Sequence, residues 1–430
     1  MRIWIKGGRV IDPANKRDAV LDVLIEDGKI ARVWAAQPGA PAPAADRVLD
    51  ATGQVVCPGF VDLHVHLREP GREDMETIAT GTRAAARGGF TTVCCMANTN
   101  PVNDNQSVTD FIVDRARRDG AVHVYPIGAI TKGLKGEELA EIGELVGAGC
   151  VAVSDDGKPV MNAELMRRAL EYTTLFNIPV IQHAEDEHLT GKGVMHEGRV
   201  STELGFKGIP AASEAVIVAR DLLLAELTGG RYHVAHVSTA EAVELVRDAK
   251  RKGLNITCEV APHHFALTDE AVYNFDTNAK MSPPLRSSRH LAVVKAALQD
   301  GTIDCIATDH APHVIQDKEV EFDYAANGII GLETAFGLTI TSLVEPEVLT
   351  LPQAVARLTA DPARIFRLPK GTLSEGADAD VTIVDPSREW TYDVRQSASK
   401  ARNSPFHGWK LRGQVLCTIV SGKIAWELQG

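Results

Sequence analysis

The sequence predicts an α/β fold, a (β/α)8 TIM barrel with a small flanking β-sandwich domain formed by the N- and C-terminal segments. Three observations predict it. Short apolar runs alternate with amphipathic helical stretches between residues 58 and 365, and eight such units in about 300 residues are typical of this barrel. The absence of a G-x-G-x-x-G turn favours the barrel over an open doubly wound sheet. Both chain ends show β-type patterns instead.

The N-terminal segment predicts a set of β-strands. Residues 21–25 alternate in polarity and meet Glu26-Asp27-Gly28, which is a hairpin signal with its return strand near residues 30–34. The Ala/Pro-rich residues 35–46 predict a surface loop. Residues 1–8 lack the charged and apolar regions of a signal peptide. Their pattern predicts a strand instead.

The central segment predicts the barrel itself. Its apolar runs are typical of parallel strands that are buried on both faces. The strands are predicted near residues 61–66, 91–96, 121–127, 149–154, 178–183, 232–237, 255–260 and 303–308, and the helices over 74–88, 107–119, 137–147, 162–176, 212–228, 239–252, 289–299 and 331–343.

The C-terminal segment returns to β-type patterns at residues 379–384 and 414–420. We expect the two chain ends to pair as one flanking domain, residues 1–57 and 366–430. Residues 58–365 then form the barrel domain.

The composition narrows the class of protein. Of 430 residues, 44% are apolar and 24% charged, and the net charge is −12. An acidic chain without a basic run argues against nucleic acid or an anionic membrane surface as its main partner. Apolar runs stay shorter than the ~18 residues needed to span a bilayer. Seven cysteines without a C-x-x-C pair predict a reduced, cytoplasmic protein.

Polar residues at the predicted strand ends carry the chemistry, because barrel active sites form at the carboxyl ends of the strands. His64 and His66 share one face of strand 1 and can bind one metal, although such a pair also occurs as packed core residues. Strands 4, 5, 6 and 8 end in Asp155-Asp156, His183, His236 and Asp309. Imidazoles and carboxylates together suit zinc, and a carboxylate can bridge two cations.

Five longer segments surround these residues, DLHVHLREPG (62–71), MANTNPV (96–102), SDDG (154–157), KMSPPLR (280–286) and ATDHAPH (307–313). They resemble segments of the bacterial class I dihydroorotases, in the amidohydrolase superfamily. The resemblance continues from GGRVIDP (7–13) to GADADVTIVDP (376–386), so it covers nearly the whole chain.

The resemblance implies a zinc centre, with two ions expected per subunit. Related hydantoinases use a carboxylated lysine as the bridging ligand, but there is no lysine between Cys150 and Gly157. Spacing favours Asp156 as the bridge, and Asp155 is the alternative. The implied ligands are His64, His66, Asp156, His183, His236 and Asp309.

The implied reaction is the reversible cyclisation of N-carbamoyl-L-aspartate to (S)-dihydroorotate plus water, a step of de novo pyrimidine (UMP) biosynthesis. The family uses a metal-bound hydroxide as nucleophile, since zinc lowers the pKa of its water to about 7. Asp309 is the expected general acid and base.

The substrate carries carboxylates, which need cationic or hydrogen-bonding partners. Arg68 lies two residues beyond His66 and can bind a carboxylate through two N–H groups, although a surface salt bridge is the alternative. Two positions depart from the family pattern: Ser282 stands where relatives have Asn, and Ala326-Asn327 replace Pro-Phe. The implied substrate-binding residues are His66, Arg68, Asn98, Ser282, His313, Asn327 and Gly328.

Two other functions stay open at this point. One is a hydantoinase- or allantoinase-like cyclic amidohydrolase, and the other is a non-catalytic partner of aspartate transcarbamoylase. Binding of aspartate transcarbamoylase by an active enzyme, and a homo-oligomer, are further expectations from the resemblance. The polar residues 314–325 are expected to form part of a mobile lid.

Overall fold

The computed structural model describes residues 1–36 and 41–429. Within these residues, eight parallel strands form the barrel: Phe60–Val65, Phe90–Cys95, His123–Pro126, Val153–Ser154, Val180–Gln182, Tyr232–Val234, Ile256–Val260 and Cys305–Ile306. We call them barrel strands 1 to 8. Ladders join strands 1 to 3 and strands 4 to 8. Single bridges from Gly128 to Val153 and from Val65 to His310 close the ring, so the predicted fold class is confirmed.

Buried polar contacts fix the closure between barrel strands 1 and 8. All six residues of strand 1 are buried, as expected for a parallel strand covered on both faces. One of them, Asp62, accepts hydrogen bonds from the backbone N–H of Thr308 at 3.0 Å and from its hydroxyl at 2.6 Å. These bonds hold the two strands together next to His64.

Helices follow most barrel strands and cover the outside of the barrel. The first begins at Ile78 rather than near residue 74, because Thr77 is extended and its side chain accepts a hydrogen bond from the backbone N–H of Thr80. The longer helices are Ile78–Arg87, Gln106–Asp119, Ile142–Ala148, Ala163–Thr173, Ala212–Thr228, Ala240–Arg251, Ser288–Asp300, Leu351–Leu358 and Ala360–Phe366, with Ala335–Thr339 continued by a π-helical turn at Ile340–Val344. Shorter helical turns are Glu187–Thr190, Arg199–Leu204, Pro262–Ala266 and Ile315–Lys318.

The two chain ends form one eight-stranded sheet beside the barrel. Its strands are Arg2–Asp12, Arg17–Glu26, Lys29–Trp34, Arg47–Asp50, Val55–Pro58, Val381–Thr391, Lys410–Val420 and Lys423–Glu427. The N- and C-terminal segments meet where Val55–Pro58 pairs antiparallel with Val381–Thr391. The sheet has its own apolar core, which includes Ile3, Ile25 and Ile419.

Two further expectations from the sequence concern a loop and membrane-spanning segments. Of the loop predicted over residues 35–46, residues 37–40 lie outside the described residues. Among the residues that are described, no helix has both the length and the apolar character to cross a membrane.

Candidate metal centre and substrate cavity

Four residues from three strand ends meet at the mouth of the barrel. His64 Nε2 lies 3.4 Å from both Asp156 Oδ2 and Asp309 Oδ1. His66 Nε2 lies 3.4 Å from Asp156 Oδ2 and 3.1 Å from Asp309 Oδ1. The two histidines of strand 1 therefore share both carboxylates.

The second half of the cluster lies on the other side of Asp156. His183 Nδ1 and His236 Nε2 lie 3.0 Å apart. They lie 3.6 Å and 3.4 Å from Asp156 Oδ1. One carboxylate thus faces two histidine pairs, one with each oxygen, which is the arrangement of a bridging ligand.

The donor atoms fit metal ions. Ligand atoms bound about 2.0–2.2 Å from a tetrahedral zinc lie about 3.3–3.6 Å from each other, and most of the separations above fall in or near this range. Among the described residues, the buried His64 Nε2 has no hydrogen-bond partner. Buried polar atoms are rarely left in this state, so a cation would satisfy a group that the protein alone does not.

The electrostatics of the cluster favour cations as well. Burial raises the pKa of Asp156, but the charge of His64 and contacts with His183 and His236 outweigh burial and hold that pKa well below its usual range. Burial likewise raises the pKa of Asp309, but its histidine neighbours outweigh burial and lower that pKa. Both carboxylates are therefore ionised and available as ligands.

Asp155 has a different environment from Asp156. One of its carboxylate oxygens accepts hydrogen bonds from the backbone N–H groups of Ile130 and Thr131 at 2.8 Å and 2.9 Å. The other accepts one from the hydroxyl of Thr131. Burial raises the pKa of Asp155 to about 6. Its oxygens are thus occupied by the loop after strand 3.

Glu259 on strand 7 supports His64, one of the predicted metal ligands, and was not singled out from the sequence. Its Oε1 lies 2.7 Å from His64 Nδ1, and its Oε2 lies 3.2 Å from His233 Nε2. Burial opposes its charge, but the two histidines lower the pKa of Glu259 to about 2. A carboxylate behind a ligand histidine fixes the ring's orientation and its tautomer. The only signal for it in the sequence is a charged residue inside an otherwise apolar strand.

Three residues of the cluster's rim have left-handed backbone conformations. The φ angles are 60° at Arg68, 30° at His236 and 47° at Asp309. Residues other than glycine rarely adopt such conformations, and they concentrate at functional sites where the surrounding structure holds them. Asn98 helps to hold this rim, since its Oδ1 lies 2.9 Å from His66 Nδ1.

A cavity of about 350 Å³ opens onto the cluster. It brings together most of the residues predicted to bind substrate. Arg68 is held at its edge by a hydrogen bond from Nε to the carbonyl of Pro312, at 3.2 Å. The lining residues predicted from the sequence are His66, Arg68, Asn98, Asp156, His183, Ser282, Asp309, His313 and Asn327.

His313 and Ser282 are held by contacts inside the cavity wall. Burial and the charge of Arg68 lower the pKa of His313 to about 3. The neutral ring donates from Nε2 to the carbonyl of Asn327 at 2.8 Å. The Ser282 hydroxyl donates to Glu185 at 2.9 Å, and Glu185 also lies 3.3 Å from His183 Nε2. Glu185 therefore links the cavity wall to His183, one of the predicted metal ligands.

Gly328 is not among the residues that line the cavity. Its N–H donates to the carbonyl of Lys280 at 3.0 Å. Its own carbonyl accepts from Asn403 at 3.0 Å and Lys318 at 3.1 Å. A side chain here would lie 2.7 Å from both the carbonyl of Ala311 and the ring of His313. The glycine thus permits the wall to pack against His313.

The remaining histidines near the mouth support neighbouring loops. His264 Nε2 donates to the carbonyl of Pro283 at 3.0 Å, and the rings of His263 and His264 pack with their centroids 4.4 Å apart. His310 Nε2 lies 3.4 Å from Glu76. These contacts lie outside the cluster of donor atoms.

Comparison with protein families gives matches along most of the chain. Residues 53–242 match the dihydro-orotase-like family, and residues 207–425 match the amidohydrolase family. A dihydroorotase from Pelotomaculum thermopropionicum is 58% identical over 427 residues, which cover 99% of both chains. A dihydroorotase from Geobacter metallireducens is 54% identical over 427 residues, covering 99% of this chain and 100% of that one.

Solved structures with the same fold are more distant in sequence. An L-hydantoinase (dihydropyrimidinase) from Arthrobacter aurescens superposes with a TM-score of 0.89 at 26% identity, over 99% of this chain and 96% of that chain. A D-hydantoinase (dihydropyrimidinase) from a Thermus species gives a TM-score of 0.83 at 26% identity, over 100% and 97% of the two chains. The barrel and the flanking sheet are thus both present in these amidohydrolases.

Proposed function

Because the chain belongs to the dihydroorotase-like amidohydrolases, we propose that its cavity binds N-carbamoyl-L-aspartate and (S)-dihydroorotate and interconverts them. The chain is a hydrolase of cyclic amide bonds that acts in de novo pyrimidine biosynthesis. Support for the substrate comes from one juxtaposition: the carboxylate–histidine cluster and Arg68 open into the same cavity. The guanidinium of Arg68, which can bind a carboxylate, thus lies beside side chains that can hold a metal for hydrolysis.

The proposed metal is zinc, with two ions per subunit. His64, His66 and Asp309 would hold one ion, and His183 and His236 the other, with Asp156 shared between them. When bound, the metal supplies Lewis-acid polarisation of a carbonyl and lowers the pKa of a water. Imidazole and carboxylate donors suit zinc.

Arg68, Asn98 and His313 are proposed to hold the substrate carboxylate. A guanidinium can pair with a carboxylate through two parallel hydrogen bonds, which orients the ring as well as binding it. His313 is neutral because burial and Arg68 lower its pKa, so it acts as a hydrogen-bonding group rather than a second cation. Ser282 and Asn327 line the cavity wall, and the Ser282 side chain and the Asn327 backbone are proposed to contact the ring. Gly328 is proposed to act through the shape of that wall.

Asp309 is proposed to move the proton. Its Oδ1 lies 3.1 Å from His66 Nε2, and the residue lines the cavity. In hydrolysis its carboxylate accepts a proton from the attacking water and passes it to the ring nitrogen that leaves. In ring closure it takes the proton from the attacking carbamoyl nitrogen and gives it to the departing oxygen, which is lost as water. A carboxylate within reach of both reacting groups serves in both directions.

The test is a two-way assay of the purified full-length chain with its metal content measured. We expect conversion of both compounds, loss of activity with a chelator, and recovery when zinc is added. Hydantoin and allantoin serve as comparison substrates. Faster turnover of either, or no turnover of dihydroorotate and carbamoyl aspartate by fully loaded enzyme, would contradict the proposed function.

The proposed location is the cytoplasm, because the seven cysteines are buried and free of disulfides, as in a reducing compartment. Association with aspartate transcarbamoylase and self-association stay predictions of the resemblance. Co-elution of the two proteins on a sizing column tests the first, and the mass of the chain in solution tests the second.

A further inference from the structure

Two lysine side chains are buried beside the substrate cavity. Lys280 is 6% exposed and Lys318 is 4% exposed. Lysines are rarely buried to this extent unless they are paired. Within the described parts of the chain, neither ammonium forms an ion pair with a carboxylate. Burial of two unpaired ammonium groups is unfavourable, so their contacts call for a functional explanation.

Lys318 is bound by backbone carbonyls. Its Nζ donates to the carbonyl of Ala326 at 2.7 Å and to that of Gly328 at 3.1 Å. The carbonyl of Lys280 lies 3.5 Å away. An ammonium has three N–H donors, and here three carbonyls surround it. Burial and the neighbouring charge of Lys280 lower the pKa of Lys318 to about 7.

Lys280 binds carbonyl groups that come earlier in the chain than Ala326 and Gly328. Its Nζ donates to the carbonyls of Phe322 and Asp323 at 2.7 Å and 2.9 Å. It also lies 5.4 Å from the centre of the Phe322 ring, which adds a cation–π contact. Residues 322–328 are therefore held at both ends by ammonium groups.

The held segment forms a wall of the cavity. Asn327 lines the cavity, and its carbonyl accepts the hydrogen bond from His313 Nε2 at 2.8 Å. Asn327 lies directly between Ala326 and Gly328, the two residues whose carbonyls Lys318 binds. A change in those two bonds would move Asn327 and release its contact with His313.

The lid expected over residues 314–325 contains both buried and exposed residues. Residues 319–321 are exposed, and so are Asp323 and Tyr324, whereas Lys318, Phe322 and Ala325 are buried. Phe322 and Ala325 thus pack inward beside the lysine-bound carbonyls, and the side chains between them face solvent.

We propose that Lys280 and Lys318 are positioning residues, whose ammonium groups hold residues 322–328 against the barrel mouth and thereby set the KM for dihydroorotate. This inference rests on the proposed function. Neither lysine lines the cavity, so both act through Asn327 and His313 and not on the reacting atoms. A loose wall weakens substrate binding, but it leaves the metal ligands in place.

The kinetic test compares Lys318→Met and Lys280→Met with the unchanged enzyme, all loaded with metal. Methionine has a similar length but no N–H donors. We expect KM for dihydroorotate to rise about tenfold or more, because charged hydrogen bonds that hold the wall are lost, while kcat changes less than about threefold and metal content is unchanged. Lys252→Met, at an exposed site, is the matched control. An unchanged KM in both variants, or a fall in kcat at constant KM, would overturn the proposal.

Hydrogen exchange gives a readout that needs no activity. We expect the amides of residues 324, 325, 326 and 328, which donate to backbone carbonyls, to exchange slowly in the unchanged, substrate-free protein and faster in the variants. Exchange of these four amides as fast as that of Val320 and Glu321 would show that the anchor does not form and would also overturn the proposal. If either methionine variant fails to fold, the other variant and the exchange of the unchanged protein decide. Failure of the proposed function can be told apart from failure of this proposal, because the unchanged enzyme would then turn over neither substrate.

Discussion

Asp155 and Asp156 are neighbours with opposite environments. Both follow strand 4, and spacing favoured Asp156 as the bridging ligand, with Asp155 as the alternative. Asp156 faces four histidine nitrogens, whereas N–H and O–H groups of residues 130–131 occupy the oxygens of Asp155. The sequence favoured Asp156 but could not exclude Asp155, because the donors that occupy the oxygens of Asp155 lie more than 20 residues away.

We predict that Asp156→Ala loses metal and activity together, with kcat/KM down about 10³-fold or more, as for removal of an essential charge at an active site. Asp155→Asn is the control, because it changes the carboxylate that accepts from the backbone N–H groups of Ile130 and Thr131 and not the cluster. This variant should keep its metal, and its free energy of unfolding should fall by about 1–3 kcal/mol. Elemental analysis and thermal denaturation check both outcomes. Retention of metal and activity in Asp156→Ala would move the bridge to another residue.

Arg68 lies at the edge of the cavity with a left-handed backbone. Its Nε is bound to the carbonyl of Pro312, which fixes the plane of the guanidinium. Burial lowers the pKa of Arg68 to about 10, so the group stays charged at neutral pH. The sequence predicted an arginine near the substrate, but the bond that sets its plane depends on the loop after strand 8.

We predict that Arg68→Lys raises KM for dihydroorotate about 10- to 100-fold, because an ammonium cannot reproduce the planar pair of hydrogen bonds. Metal content should stay the same. Arg72→Lys, at an exposed side chain bound to Asp74, is the matched control and should change KM less than about twofold. Steady-state kinetics check the pair, and equal effects in both variants would contradict the role of Arg68.

Barrel strands 1 and 7 are coupled through Glu259, although they are not neighbours in the barrel. The side chain reaches across the interior to His64 at 2.7 Å and to His233 on strand 6 at 3.2 Å. Periodicity predicted all eight strands, since each is a short apolar run. It could not predict this contact, which exists only because the closed barrel brings inward-facing side chains of distant strands together.

We predict that Glu259→Gln lowers metal affinity about 10- to 100-fold, because the carboxylate no longer fixes the orientation and basicity of His64. The change keeps the shape of the side chain, so the fold should persist. Titration with zinc against a competing chelator measures the affinity. Glu244→Gln, on the exposed face of a helix, should leave it unchanged, and an unchanged affinity in Glu259→Gln would show that the contact is not needed.

At the scale of the whole molecule, an ionic network joins the barrel to the flanking sheet. Lys370 Nζ lies 2.7 Å from Asp380 and 2.9 Å from Asp378, and both Lys370 and Asp380 are buried. His123 of barrel strand 3 lies 3.1 Å from Asp380. The network spans the proposed domain boundary near residue 366, so the two parts should unfold together.

We predict that this network makes the protein sensitive to acid. Hydrogen bonds from Lys29 and Lys370 lower the pKa of Asp378 to about 2, and contacts with His123 and Lys370 outweigh burial to lower that of Asp380. A carboxyl group with a lowered pKa in the folded state stabilises it above the unfolded value of about 3.9, and this stability is lost as the pH falls toward 2. Asp380→Asn should therefore cost about 3 kcal/mol near pH 6 and much less near pH 2.

Urea denaturation at several pH values checks this prediction. Asp114→Asn is the control, because Asp114 is exposed and pairs with the exposed Arg117. It should change the free energy of unfolding by less than about 0.5 kcal/mol. A difference between Asp380→Asn and the unchanged protein that does not shrink toward pH 2 would contradict the prediction.

The sequence by itself determined the barrel, the pairing of the two chain ends and the residue types at the strand ends. These features follow from local patterns, since side-chain periodicity and chain order specify strands and place their carboxyl ends at one mouth. The tertiary structure alone excluded Asp155 as the aspartate that faces the histidines, and it alone showed that Glu259 supports His64 and that Lys318 is buried against the cavity wall. Each of these depends on which distant donors and acceptors compete for one polar atom, and only the folded chain brings those groups together.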